Sequence, residues 1–132
     1  MGAYYEVSAI VPLDPAKEAE YLPVLEQMAG LDVKAKVYGI HHWIGGAGKM
    51  SHQNINRIEE LLAQLGRYAT EAVRVATRYE DGDVEPLWIG PDALTIVKAQ
   101  IAEVEQEMAR LAERLAALKE EELCLRQHQD VS

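Results

Sequence analysis

The chain is poor in cysteine, in cations and in long hydrophobic runs, and each shortage removes a class of protein. Its one cysteine, Cys124, cannot close a disulfide within the chain, so a reducing setting, the cytoplasm, is expected. There are 13 Lys and Arg against 22 Asp and Glu, a formal net charge of -9. That balance excludes a general phosphate-backbone binder, and direct nucleic-acid binding is not expected. No apolar run reaches the roughly 18 residues needed to span a bilayer, and residues 1–8 lack the charged-then-apolar pattern of a secretory signal. No membrane association is expected either.

What is present is ordinary for a soluble domain: 132 residues, 48% hydrophobic and 27% charged. The acidity is spread evenly. Basic and acidic residues number 4 and 6 in residues 1–50, 4 and 7 in 51–90, and 5 and 9 in 91–132. An even bias of this kind is chiefly a solubility device, with imitation of a nucleic acid as a lesser reading.

Tyr4 to Val11, rich in β-branched and aromatic residues, reads as a first strand. Asp14-Pro15 reads as a helix start and Gly30 as its stop, with Pro23 expected to kink or split the helix between them. A second strand is expected from Val33 to about Ile44. Its parity places His41 with Val33 and Val37 on a core face, and His42 with Lys34, Lys36 and Tyr38. Gly45 to Met50 reads as a flexible loop. Ser51 then caps a second helix carrying Ile55, Ile58, Leu62 and Leu65, which either stops at Gly66 or continues at the same spacing through Ala69, Ala72 and Ala76, making residues 69–80 helix instead of strand. Val73 to Glu80 alternates like a strand, and Asp81-Gly82 is a hairpin signal. Folding about that pair sets Tyr79 opposite Val84, Arg78 opposite Glu85, Val75 opposite Trp88 and Glu80 opposite Asp83.

After Asp92, apolar residues fall at Leu94, Val97, Ile101, Val104, Met108, Leu111, Leu115 and Leu118, an unbroken a/d heptad seam. A helix from Asp92 to Leu125 would be on the order of 50 Å long, whereas a compact chain of this size has a radius of gyration of about 14 Å. The seam therefore needs a cover, from the second helix or from another subunit. A parallel pairing would set Gln100 against Glu105, Glu107 against Ala112 and Arg114 against Lys119, none of them attractive. Ala102, Ala109, Ala112 and Ala116 widen the apolar face, which suits an antiparallel or bundle-like homo-oligomer.

The stretch from His41 to His52 is the one dense in reactive groups, and a small anionic ligand there would meet His42, Trp43, Gly46, Gly48, Lys49, Ser51 and His52. A strand, a glycine loop and a helix start in that order resemble a phosphate cradle. The phosphate-loop pattern fails, however, with Trp43 where glycine is needed and Met50 where a hydroxyl should hold magnesium. His42 and His52, even with Glu59 as a third ligand, fall short of a structural zinc site. Cys124 and His128 lie one helical turn apart in a tail expected to fray. Trp43 and Trp88 are expected to close the core, or to wall an apolar pocket if they meet. No cofactor, metal or catalytic residue is assigned.

The expected fold is α+β: a small mixed or antiparallel four-stranded sheet, two packed helices and a long coiled-coil-like C-terminal helix, in the order β-α-β-α-β-β-α. Residues 1–90 form the body, 91–126 the helix continuous with it, and 127–132 a frayed tail. The β-α-β unit at the start should cross over right-handed if its two strands are parallel neighbours. The expected function is that of a non-enzymatic, acidic interaction or assembly protein. It is expected to self-associate through the C-terminal helix and to bind a macromolecular partner, a protein. The competing expectation is a small-molecule binder or small enzyme in which Lys49 holds an anionic group and His42 or His52 exchanges a proton.

Overall fold

The computed structural model describes residues 2–80, 82 and 86–131. Strand β1 (Ala3–Pro12) alternates buried Tyr5, Val7, Ala9 and Val11 with more exposed Tyr4, Glu6, Ser8 and Ile10, the pattern of a strand with one face in the core. Asp14 then accepts the Ala16 N–H at 3.0 Å and opens a short 3₁₀ turn, Pro15–Lys17. Helix α1 (Glu18–Ala29) follows and buries Tyr21, Val24 and Met28. Pro23 does not split it. As the sixth residue of α1, Pro23 lacks only the N–H that would have served the Ala19 carbonyl, a loss confined to the helix start.

The expected second strand is two strands. Strand β2 (Lys34–Tyr38) turns through Gly39-Ile40 into β3 (His41–Met50), with Tyr38 paired to His41. Gly39 takes φ +66° at the first loop position, where a type II′ turn calls for glycine. The glycines expected to form a loop instead lie within β3. Gly45, Gly46 and Gly48 pair with Ser8, Val7 and Tyr5 of β1.

Ser51 Oγ accepts the Asn54 N–H at 3.1 Å and caps helix α2 (His52–Gly66), which buries Ile55, Ile58, Leu61, Leu62 and Leu65. Strands β4 (Val73–Tyr79) and β5 (Leu87–Ile89) follow. Their register is one residue from expectation, with Val75 opposite Leu87, Arg74 opposite Trp88 and Val73 opposite Ile89. This slip turns two aliphatic residues, Leu87 and Ile89, toward the core instead of Trp88 alone. The expected pairs involving Asp83, Val84 and Glu85 lie outside the described residues.

Among the described residues the sheet has five strands, not four, in the order β2-β3-β1-β4-β5, every neighbouring pair antiparallel. β1 and β2 run parallel but are not neighbours, because β3 lies between them. β3 and β4 are likewise separated by β1. The first six elements therefore interleave two split β-α-β units, the ferredoxin-like connection pattern, with β5 added at one edge. Helices α1 and α2 touch one another and lie over the face carrying Tyr5, Val7, Val11, Ile44 and Val75, all of them buried. At the end of α2, a Cβ on Gly66 would stand 2.8 Å from Gly90 N and from Ile89 Cβ, so the helix meets the β5 backbone directly.

Asp92 Oδ1 accepts the Thr95 N–H at 2.7 Å and starts helix α3 (Ala93–Val131), which is helical through the residues expected to fray. The chain divides into two units, Met1–Val97 and Lys98–Ser132. The first holds the sheet, α1, α2 and the start of α3; the second is helical throughout its described length.

Candidate functional site

The seven residues proposed to hold a small ligand are dispersed. His42 is buried beneath the helices, its ring edge-on to Tyr21 at 5.5 Å, and its Nδ1 has no hydrogen-bond partner. His41 is the exposed member of the pair and lies opposite Tyr38. The exchange follows from the hairpin: a two-residue turn pairs Val37 with His42, so the parity of an unbroken strand does not apply. Trp43 and Lys49 project from the opposite face of β3. Gly46 is held on the helix side, where a Cβ would come within 2.7 Å of the Asp32 carbonyl oxygen. Gly48 pairs with Tyr5. Ser51 is engaged in capping α2, and His52 lies beside Ala3, Tyr79 and Glu80 at the sheet's end. A glycine loop entering a helix N-terminus, the element on which a phosphate cradle depends, is not formed here.

Trp43 and Trp88 do not close the core and do not meet. Trp43 is 37% exposed on β3, and Trp88 is half-buried on β5, with β1 and β4 between those strands. Cys124 is exposed on α3. Among the described residues no group of three or more His, Cys, Asp and Glu is placed to hold a metal ion. Among the described residues no helix is long and apolar enough to cross a membrane.

The seam residues are exposed in each unit. Leu94 and Val97 of the first unit are 64% and 48% exposed. In the second unit Ile101, Val104, Met108, Leu111, Leu115 and Leu118 are between 48% and 64% exposed. Beside the seam, Glu107 accepts hydrogen bonds from Arg110 one turn away, and this pairing lowers the Glu107 carboxyl below its ordinary range.

Two features were not read from the sequence. One is a cluster where β1, β4 and α2 meet. Tyr79 donates its hydroxyl to Glu59 Oε1 at 2.6 Å, and the Tyr79 and Tyr5 rings lie 5.3 Å apart. The Tyr5 hydroxyl is buried without a hydrogen bond, and burial first, then the Glu59 carboxylate, pushes its pKa well above the ordinary tyrosine value. The other is the sheet face turned away from the helices. Period-two reading had placed Lys34 and Lys36 on one face, but only the register brings Lys49 and Arg78 to the same side.

Compared with protein-family models, with curated proteins and with solved structures, the chain finds no match. The split β-α-β pattern speaks for the fold alone, since such scaffolds host unrelated functions.

Proposed function

We propose that the protein is a non-enzymatic assembly module of the cytoplasm that self-associates through α3 and holds a protein partner. The observation that carries this reading is the row from Ile101 to Leu118, six large apolar side chains at a/d spacing, each about half exposed or more. Burying them would contribute roughly 1.5–3 kcal/mol per side chain before entropic costs, enough to drive association. A second copy is the fitting cover, because a regular seam is complementary to itself about a two-fold axis. Glu107 is already engaged by Arg110 within its own helix, and Arg114 would oppose Lys119 in a parallel pair, so an antiparallel or bundle-like arrangement is favoured. The exposed, unpaired Cys124 suits a reducing compartment.

Light scattering behind gel filtration tests this. The native chain should elute as a dimer or larger at micromolar concentration, and the double variant Met108→Glu, Leu111→Glu should elute as a monomer with the thermal transition of residues 1–97 retained. A monomeric native chain overturns the reading. The competing small-molecule function is not favoured, because His42 and Lys49 lie on opposite faces of β3.

A further inference from the structure

The proposed function includes a protein partner without saying where it sits; the charge distribution of the first unit points to a place. Acidic residues are spread evenly along the sequence, yet in space the first unit is segregated. Its helices α1 and α2 carry Glu18, Glu20, Glu26, Glu59 and Glu60, with one cation between them, Arg57, which is engaged by Glu60 and Gln27. The five strands carry one carboxylate, Glu6, and on its side of the sheet lie Lys34, Lys36, Lys49, Arg74 and Arg78. Among the described residues no ion pair engages Lys34, Lys36, Lys49 or Arg78.

The same face has relief. Ser8, Ala47 and Ala76 come close together through the register of β3, β1 and β4 and form a floor of small residues, bounded where the Trp43 indole covers Gly45. A shallow depression of about 250 Å³ opens there, lined in part by Glu6, Ser8, Ala76 and Arg78. Ile10, 59% exposed, pairs with Trp43 at one end of the floor, and Lys36 Nζ lies 5.9 Å from the Trp43 ring centroid. Lysines on an exposed edge strand guard against edge-to-edge pairing, which accounts for Lys34 and Lys36 of β2. It does not account for Lys49 and Arg78, which lie on interior strands.

We propose that this open sheet face docks an acidic polypeptide segment with an apolar anchor. The anchor seats on the small-residue floor against Trp43 and Ile10, while its carboxylates meet Lys34, Lys36, Lys49 and Arg78. A single-stranded nucleic acid fits less well. β1 sets aliphatic Ile10, not an aromatic ring, opposite Trp43, and the chain's formal net charge of -9 works against a phosphate backbone.

The experiment is fluorescence anisotropy with three labelled probes of equal length: a glutamate-leucine peptide, the same peptide with lysine for glutamate, and oligothymidylate. The full chain should bind the acidic peptide most tightly, and binding should weaken as salt is raised. Lys36→Glu with Arg78→Glu, and separately Trp43→Ala, should each weaken it by about tenfold or more while the thermal transition is retained. Equal binding of the acidic and basic peptides, tighter binding of oligothymidylate, or indifference to these substitutions overturns the proposal. Repeating the titration with Met108→Glu, Leu111→Glu separates the two readings. Retained peptide affinity in a monomer supports the face, and a monomeric native chain that still binds the peptide removes only the seam. Affinity lost with the seam overturns the docking face.

Discussion

The Trp43 indole lies across the backbone of Gly45, two residues along the same strand, so closely that a Cβ at position 45 would stand 2.6 Å from Trp43 Cη2. The glycine lets the ring lie flat on the sheet, and the ring covers backbone that a strand glycine leaves bare. A methyl group at this position would meet the far end of a partly exposed side chain, which can swing away. Gly45→Ala should therefore cost about 1 kcal/mol, and in a Trp88→Phe background the emission of Trp43 should shift to the red as the ring enters water. An unchanged emission maximum would contradict this packing.

Gly46 makes the opposite case one residue on. Its Cβ would meet the Asp32 carbonyl oxygen at 2.7 Å and Val33 Cα at 3.2 Å, both backbone atoms that cannot rotate aside. Gly46→Ala should cost about 2–3 kcal/mol, more than Gly45→Ala, and should leave Trp43 emission unchanged. Paired denaturant titrations measure the difference, and a reversed order would show that the turn at Asp32 yields more easily than the indole.

These two glycines also show why part of the molecule escaped a reading of the sequence. Capping at Asp14 and Ser51, the period-two pattern of β1 and the heptad spacing of α3 are local signals, and each stands in the structure where its residues placed it. The run from Gly45 to Gly48 carries the composition of a loop, and only the pairing with β1 and the overlying Trp43 make it a strand. The Gly39-Ile40 turn has a single turn-forming residue, so β2 and β3 read as one strand, and that merger reversed the roles of His41 and His42. The one-residue slip at Val75 and Leu87 has a similar origin: turn chemistry proposes a register, and core burial of Leu87 and Ile89 decides it. The cationic sheet face was invisible for the same reason, since Lys36, Lys49 and Arg78 come together only through strand order.

Tyr5 and Tyr79 are in ring contact yet should respond oppositely to loss of their hydroxyls. Tyr79 donates to Glu59, so Tyr79→Phe should destabilise by about 1 kcal/mol. The Tyr5 hydroxyl is buried without a partner, so Tyr5→Phe should stabilise by about 1 kcal/mol near neutral pH. The pH dependence has a definite sign. In the native state the Tyr5 pKa is raised above the value of about 10 that it has when unfolded. Below that value both states keep the proton and this group adds no pH dependence to stability. As the pH climbs past about 10, the unfolded chain loses the proton first, and stability falls until the native value is passed. Thermal melts between pH 8 and 11 should show an alkaline loss of stability in the native chain, smaller in Tyr5→Phe. An equal loss in both would remove Tyr5 as its source.

The orientation of the helices in the proposed assembly can be read from the single native cysteine. If the segments from Ile101 to Leu118 overlap head to tail, the two Cys124 residues lie at opposite ends, about 40 Å apart along the axis. In a parallel pair they lie at the same level. Pyrene attached to Cys124, which is exposed and therefore accessible to the reagent, gives excimer emission only when two labels touch. The labelled protein should keep its dimer mass by light scattering and show monomer emission alone. A second variant sharpens the measurement: Glu122→Cys with Cys124→Ser places the thiol on the seam itself. A parallel pair would then bring the two Cα atoms within the roughly 7 Å that a disulfide tolerates, whereas an antiparallel pair would keep them apart. Mild oxidation should leave this variant uncrosslinked on a non-reducing gel. Excimer emission together with rapid crosslinking would establish parallel helices, and the like-charge opposition of Arg114 and Lys119 would then be outweighed by burial of the seam.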